Sequence, residues 1–159
     1  VGSEMCIRDR DDIDGEAVSD FSGYSVSLSS DGSVVAIGAV GNDGNGENSG
    51  HVRIYQYAND SWTKIGDDID GESAADSSGG SVSLSSDGSV VAIGAYKNDG
   101  NGSDSGHTRI YQYSSVSNSW SQLGSDIDGE ASGDGSGYSV SLSDDGTTVA
   151  IGALYNSDN

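Results

Sequence analysis

The chain has few basic residues. Only 6 Lys and Arg stand against 26 Asp and Glu, which gives a formal net charge of -20. A surface of that sign repels a phosphate backbone, so nucleic-acid binding is excluded. It suits a solvated exterior or the holding of divalent cations. Long hydrophobic runs are also missing: nothing approaches the roughly 18 apolar residues of a membrane helix, and no membrane insertion is expected. Proline is absent and cysteine occurs once, at Cys6, which excludes an intrachain disulfide. There is no G-x-S-x-G elbow, and no serine has a histidine and an acid placed in sequence to activate it, so the chain is not expected to be an enzyme.

What it has in abundance is repetition. "SVSLSSDGSVVAIGA" stands at Ser25 to Ala39 and again, unchanged, at Ser81 to Ala95, and "SVSLSDDGTTVAIGA" follows at Ser139 to Ala153. Asp11 to Tyr57 aligns without gaps on Asp67 to Tyr113, an offset of 56, with more than three positions in four identical. The third copy follows at an offset of 58, from Asp68 to Asp126, and its two extra residues fall in "YSSVSNSW" where the first copy has "YANDSW". That spot is a loop. The opening "VGSEMCIRDR" matches nothing later and lacks the apolar core of a signal peptide. It is expected to be an adaptor-like remnant outside the fold.

Within each copy the apolar period is two. Val26 and Leu28 alternate with serines, as in a strand with one buried face. "SVVAIGA" reads as a strand buried on both faces, "HVRIYQY" alternates again, and "SWTKIG" supplies a short fourth strand. Four antiparallel strands per repeat, with turn residues between them and no helical periodicity, predict an all-β fold: a β-propeller fragment with blades of 56–58 residues. The expected division is a non-repeat segment 1–10, blade one with its leading connector at 11–66, blade two at 67–124 and a truncated third blade at 125–159.

"SGYSVSLSSDGSVVAIGA", "NDGNGENSGHVRIYQY" and "SWTKIGDDIDGE" together resemble the FG-GAP repeat, the blade of integrin-alpha-like propellers. The resemblance covers Asp11 to Asn159. It implies a propeller of secreted or surface proteins, with calcium held in some members by a carboxylate-rich hairpin between the first two strands. Here that hairpin is "SSDGS", and a single recurring carboxylate (Asp31, Asp87, Asp145) is too few for an ion that takes about 6 to 8 oxygens. Asp followed by Gly is turn chemistry, so no calcium site is carried over to it.

Two other segments are candidates. Asp12, Asp14, Glu16 and Asp20 alternate along the run before the first blade, and Asp68, Asp70, Glu72, Asp76 and Asp126, Asp128, Glu130, Asp134 repeat the pattern. Such spacing can turn several oxygens toward one Ca2+; the competing reading is a solvated connector between blades. Asn42, Asp43 and Asn45, with Asn98, Asp99 and Asn101, occupy the long loop between strands two and three, where ligand binding is expected if they do not simply build turns. His51 and His107, one per repeat with no second His or Cys nearby in sequence, read as hydrogen-bonded structural residues. The aromatic residues Tyr55, Tyr57, Trp62, Tyr111, Tyr113 and Trp120 read as packing between blades.

The functional expectation is a non-catalytic extracellular or cell-surface scaffold for binding or adhesion. Its loops would meet a protein or glycan, with calcium as a candidate cofactor and self-association through exposed blade edges. An accessory propeller of a secreted hydrolase and a plain structural spacer remain the alternatives.

Overall fold

The computed structural model of the chain describes residues 12–156. The expectations for segment 1–10, including Cys6, lie outside the described residues. The described chain is all β. Twelve strands follow in order: β1 (Ser22–Leu28), β2 (Val34–Ala39), β3 (His51–Ala58), β4 (Ser61–Lys64), β5 (Ile69–Asp70), β6 (Ser81–Leu84), β7 (Val90–Ala95), β8 (His107–Ser114), β9 (Ser119–Gln122), β10 (Ile127–Asp128), β11 (Ser136–Leu142) and β12 (Val149–Ala153).

They form three antiparallel sheets. β1 to β4 lie side by side with β5 also on β3, β6 to β9 repeat the arrangement with β10 on β8, and β11 pairs with β12. These are successive blades. The outermost strand differs in one respect from the sequence reading, which ended it at Gly66. It is broken in two: β4 pairs with the far half of β3 and β5 with its start, at His51 and Val52. Gly66, at φ 72°, makes the break. The "DID" stretches are therefore partly strand, and the connector to the next blade begins only at Gly71, whose N–H reaches Gly50.

The innermost strand corrects a second expectation. Val82 and Leu84 of β6 are buried against the first sheet, in a cluster with Val34, Ala36, Val52 and Ile54 from one side and Val91 and Ile93 from the other. The serine face, however, does not look into solvent. Ser25 Oγ donates to the carbonyl of Gly79 and Ser27 Oγ accepts from the Leu84 amide (3.0 Å); one repeat later Ser81 reaches Gly137 and Ser83 takes the Leu142 amide (2.9 Å). The second "SVSL" thus packs its apolar residues on the preceding blade and bonds its serines to the following one. This double use explains why the letters hardly vary. It also explains the exposure of Val26 (63%) and Leu28 (59%), which face away from the second blade, against 9% and 7% for Val82 and Leu84.

The "AIGA" glycine marks a close approach of blades. A Cβ on Gly38 would fall on the carbonyl oxygen of Gly79, and one on Gly94 on that of Gly137. Trp120 adds a peripheral contact by donating from its indole N–H to the carbonyl of Ile65 (3.0 Å), so the outer edge of blade two is tied to blade one. The expected packing role of this tryptophan is realised; Trp62 instead lies against Tyr57 of its own sheet, with ring centroids 5.2 Å apart.

Candidate functional site

The hairpin between the first two strands is a closed turn. Asp31 Oδ1 accepts from the Ser33 amide (2.9 Å) and the Ser29 hydroxyl (2.8 Å), Gly32 N–H bonds to the Ser29 carbonyl, and Gly32 takes φ 71°. The same bonds form around Asp87 and Asp145. The carboxylate is used by its own turn. The Ser33 amide and hydroxyl and the Ser29 hydroxyl lower the pKa of Asp31 to about 2, and the Ser143 hydroxyl with the Thr147 amide and hydroxyl lower that of Asp145 to about 2. Because the folded value lies below the unfolded one of about 3.9, the contribution is present above pH ~4 and lost as pH falls toward 2. A carboxyl carbon titration by NMR should give midpoints near 2 for Asp31 and Asp145; midpoints near 3.9 would mean that the turn bonds are not made in solution.

The candidate loop residues are spent in a similar way. Asn42 and Asn98 are buried, and each accepts from the amide two residues on through its side-chain oxygen. Asp43 and Asp99 accept from the amides of Asn48 and Asp104, both at 2.8 Å. Asn45 donates to the carbonyls of Gly71 and Glu72, and Asn101 to those of Gly129 and Glu130. The loop after the second strand is therefore stitched to the connector that leads to the next blade. It is tied to the preceding connector as well: Asn42 Nδ2 donates to Asp20 (3.0 Å), Asn98 Nδ2 to Asp76 (2.9 Å) and Asn156 Nδ2 to Asp134 (3.4 Å). Asp20, Asp76 and Asp134 are all buried, and the last two also accept the amides of Ser73 and Ala131.

The alternating carboxylates do not converge on one point. The last Asp of each run turns to an Asn. Asp12, Asp14, Asp70, Asp128 and Glu130 are exposed, and Asp70 and Asp128 lie beside the loop at Gly44 and Gly100. What the structure does assemble, from neighbouring runs, is a group that includes the histidines. Glu16, His51 and Asp68 place one ligand-type atom each within 4.8 Å of one another, and Glu72, His107 and Asp126 do the same one repeat later. His51 is 3% exposed and His107 1%. Burial, opposed by the nearby carboxylates, holds both imidazoles below their ordinary value, and the neighbouring arginine pushes the same way. The expectation of a hydrogen-bonded histidine fails at His107, whose Nδ1 has no hydrogen-bond partner. The sequence could not show this group because its three members come from a connector, a strand and the link between the two pieces of the outer strand.

On the same loop side lie two clefts related by the repeat. One, of about 310 Å³, is lined by Phe21, Val40, Gly41, Asn48, Ala75, Ser77, Tyr96 and Lys97. The next, of about 270 Å³, is lined by Tyr96, Lys97, Asp104, Gly133, Gly135 and Tyr155. Every residue of the second occupies the repeat position of one in the first, so each cleft sits where a connector passes the end of a second strand. Phe21 and Tyr155 are 63% and 67% exposed, and Tyr96 is held edge-on by Tyr138 at 5.4 Å. Phe21 and Ser77 have φ 55° and 56°, and their counterpart is Gly135 at 63°. A bulky aromatic in the left-handed region is a strained residue, and it stands at the mouth of a cleft.

Residues 13–55 match the FG-GAP repeat, a span that covers β1, β2 and most of β3. No curated protein matches the chain significantly.

Proposed function

We propose that the protein is a non-catalytic binding scaffold of FG-GAP blades, acting outside the cell or at its surface, that meets a glycan or protein ligand through the loop face. The observation that carries this reading is the pair of repeat-related clefts with exposed aromatic rings at Phe21 and Tyr155 and the half-buried ring of Tyr96 lining both. Loops on a rigid sheet scaffold are where binding residues usually sit, and the Asn–Asp ties fix these loops in place. The chemistry favours a glycan. An aromatic ring offers its face to the apolar side of a sugar while neighbouring Asn, Asp and Lys groups take hydroxyls. Two clefts one repeat apart would read successive units of a chain. Near-identical copies also suit repeated contacts better than catalysis, which requires unlike groups to converge.

Binding to an immobilised glycan array is the test. The full chain should retain selected oligosaccharides, and Tyr155→Ala or Phe21→Ala should weaken retention about tenfold while leaving the melting temperature within ~2 °C, since both side chains are mostly exposed. Retention unchanged in both variants would remove the clefts from the binding surface; binding to protein partners alone would replace the glycan with a protein ligand.

A further inference from the structure

The His–carboxylate groups are unequal, and the inequality points to a site. We propose that Glu72, His107 and Asp126 bind one divalent transition-metal ion, with Zn2+ as the test species. His107 Nδ1 lies 3.8 Å from Glu72 Oε2 and 3.8 Å from Asp126 Oδ2. The side chain is 1% exposed, and this nitrogen is left without a hydrogen bond. A buried ring nitrogen facing two carboxylates and bonded to neither is costly, and such atoms call for an ion, a water or another partner. Nitrogen with two carboxylate oxygens is a donor set for zinc and its neighbours; calcium and magnesium are held by oxygens.

The dimensions agree. A tetrahedral Zn2+ with bonds of about 2.1 Å separates its ligand atoms by roughly 3.4 Å, so each 3.8 Å gap needs to close by only ~0.4 Å. Glu72 is 43% exposed and Asp126 28%, which leaves an open side for entry and for water as a fourth ligand. The ion would clamp the connector at Glu72 to the sheet of the second blade.

The first copy serves as the built-in comparison. Its carboxylates already hold cations: Arg53 Nη2 pairs with both Glu16 and Asp68, and Lys64 Nζ lies 2.6 Å from Asp68. In the second copy Lys64 is replaced by the neutral Gln122, which donates to Asp126 (2.6 Å). Arg109 bonds instead to the Asp70 carbonyl (2.7 Å) and comes no closer than 3.7 Å to Glu72. In the first group both ligand carboxylates, Glu16 and Asp68, are held by cations. In the second, Asp126 has the neutral Gln122 as donor and Glu72 has a guanidinium no closer than 3.7 Å, which leaves this pair open to a metal.

Calorimetric titration of the full chain with ZnCl2 tests this, with His107→Gln, Glu72→Gln and His51→Gln alongside. The wild type should bind one equivalent; Glu72→Gln and His107→Gln should weaken that event at least tenfold, and His51→Gln should leave it unchanged. Co2+ in place of Zn2+ should give the intense visible bands of four-coordinate geometry. Since His107 is buried, its variant is read only if its circular dichroism is native; Glu72→Gln, on an exposed side chain, decides otherwise. No binding by the wild type, binding that Glu72→Gln leaves intact, or equal loss in His51→Gln would overturn the assignment.

Discussion

Gly94→Ala should lower the melting temperature by roughly 10 °C, corresponding to about 3 kcal/mol for a chain of this size. The added methyl would land on the carbonyl oxygen of Gly137, a backbone atom that cannot swing aside, and the blades would have to part. Gly38→Ala meets Gly79 in the same way and should cost as much. Gly152 holds the same place in the third copy, yet the nearest atoms to a Cβ there belong to Ser139 of the paired strand, led by a rotatable hydroxyl. Gly152→Ala should therefore be the mild member of the series, below about 1 kcal/mol. Differential scanning calorimetry on the three variants separates a requirement of the β-strand itself, which would affect all three equally, from a requirement of blade stacking, which affects only the first two.

Asn98→Asp should be nearly as damaging at neutral pH, by about 3 kcal/mol, and much less so in acid. The Asn98 amide faces Asp76 at 2.9 Å, and both residues are about 95% or more buried. A second carboxylate there sets two like charges side by side without a donor between them. The pair could be accommodated only by holding a proton, so its folded pKa would be raised. The penalty is then present at pH 7 and relieved as pH falls through that raised value toward about 3.9. Urea denaturation at pH 7 and pH 4 measures it. Equal loss at both would mean that lost loop geometry, rather than charge, is the cause.

Much of the architecture was legible because sheet periodicity is local. The alternation of Val26 and Leu28 with serines, the β-branched run of "SVVAIGA" and the Asp-Gly turns each report on neighbours within a few residues, and all appear where expected. The direction in which the serines point was not, since bonds from Ser27 to Leu84 and from Ser83 to Leu142 cross between blades. For the same reason the partners of the carboxylate runs were hidden. In the second run Glu72 faces a histidine and Asp76 an asparagine, while in the first Asn42 donates to both Glu16 and Asp20. The candidate loop residues Asn42, Asp43 and Asn45 follow turn chemistry, while the exposed rings of Phe21 and Tyr155 fall at positions where no letter repeats. A repeat reveals what the copies share, and these rings belong to what differs.

Successive copies stack through their innermost strands, and amide hydrogen exchange in Ser27→Ala tests that contact directly. In the wild type the amides of Leu84 and Leu142 should both be protected, because each donates to a serine of the preceding blade. Ser27→Ala should accelerate exchange at Leu84 by about fivefold, the loss of one hydrogen bond of roughly 1 kcal/mol, and leave Leu142 unchanged. Rapid exchange at both amides in the wild type, or a Leu84 rate indifferent to Ser27, would contradict it.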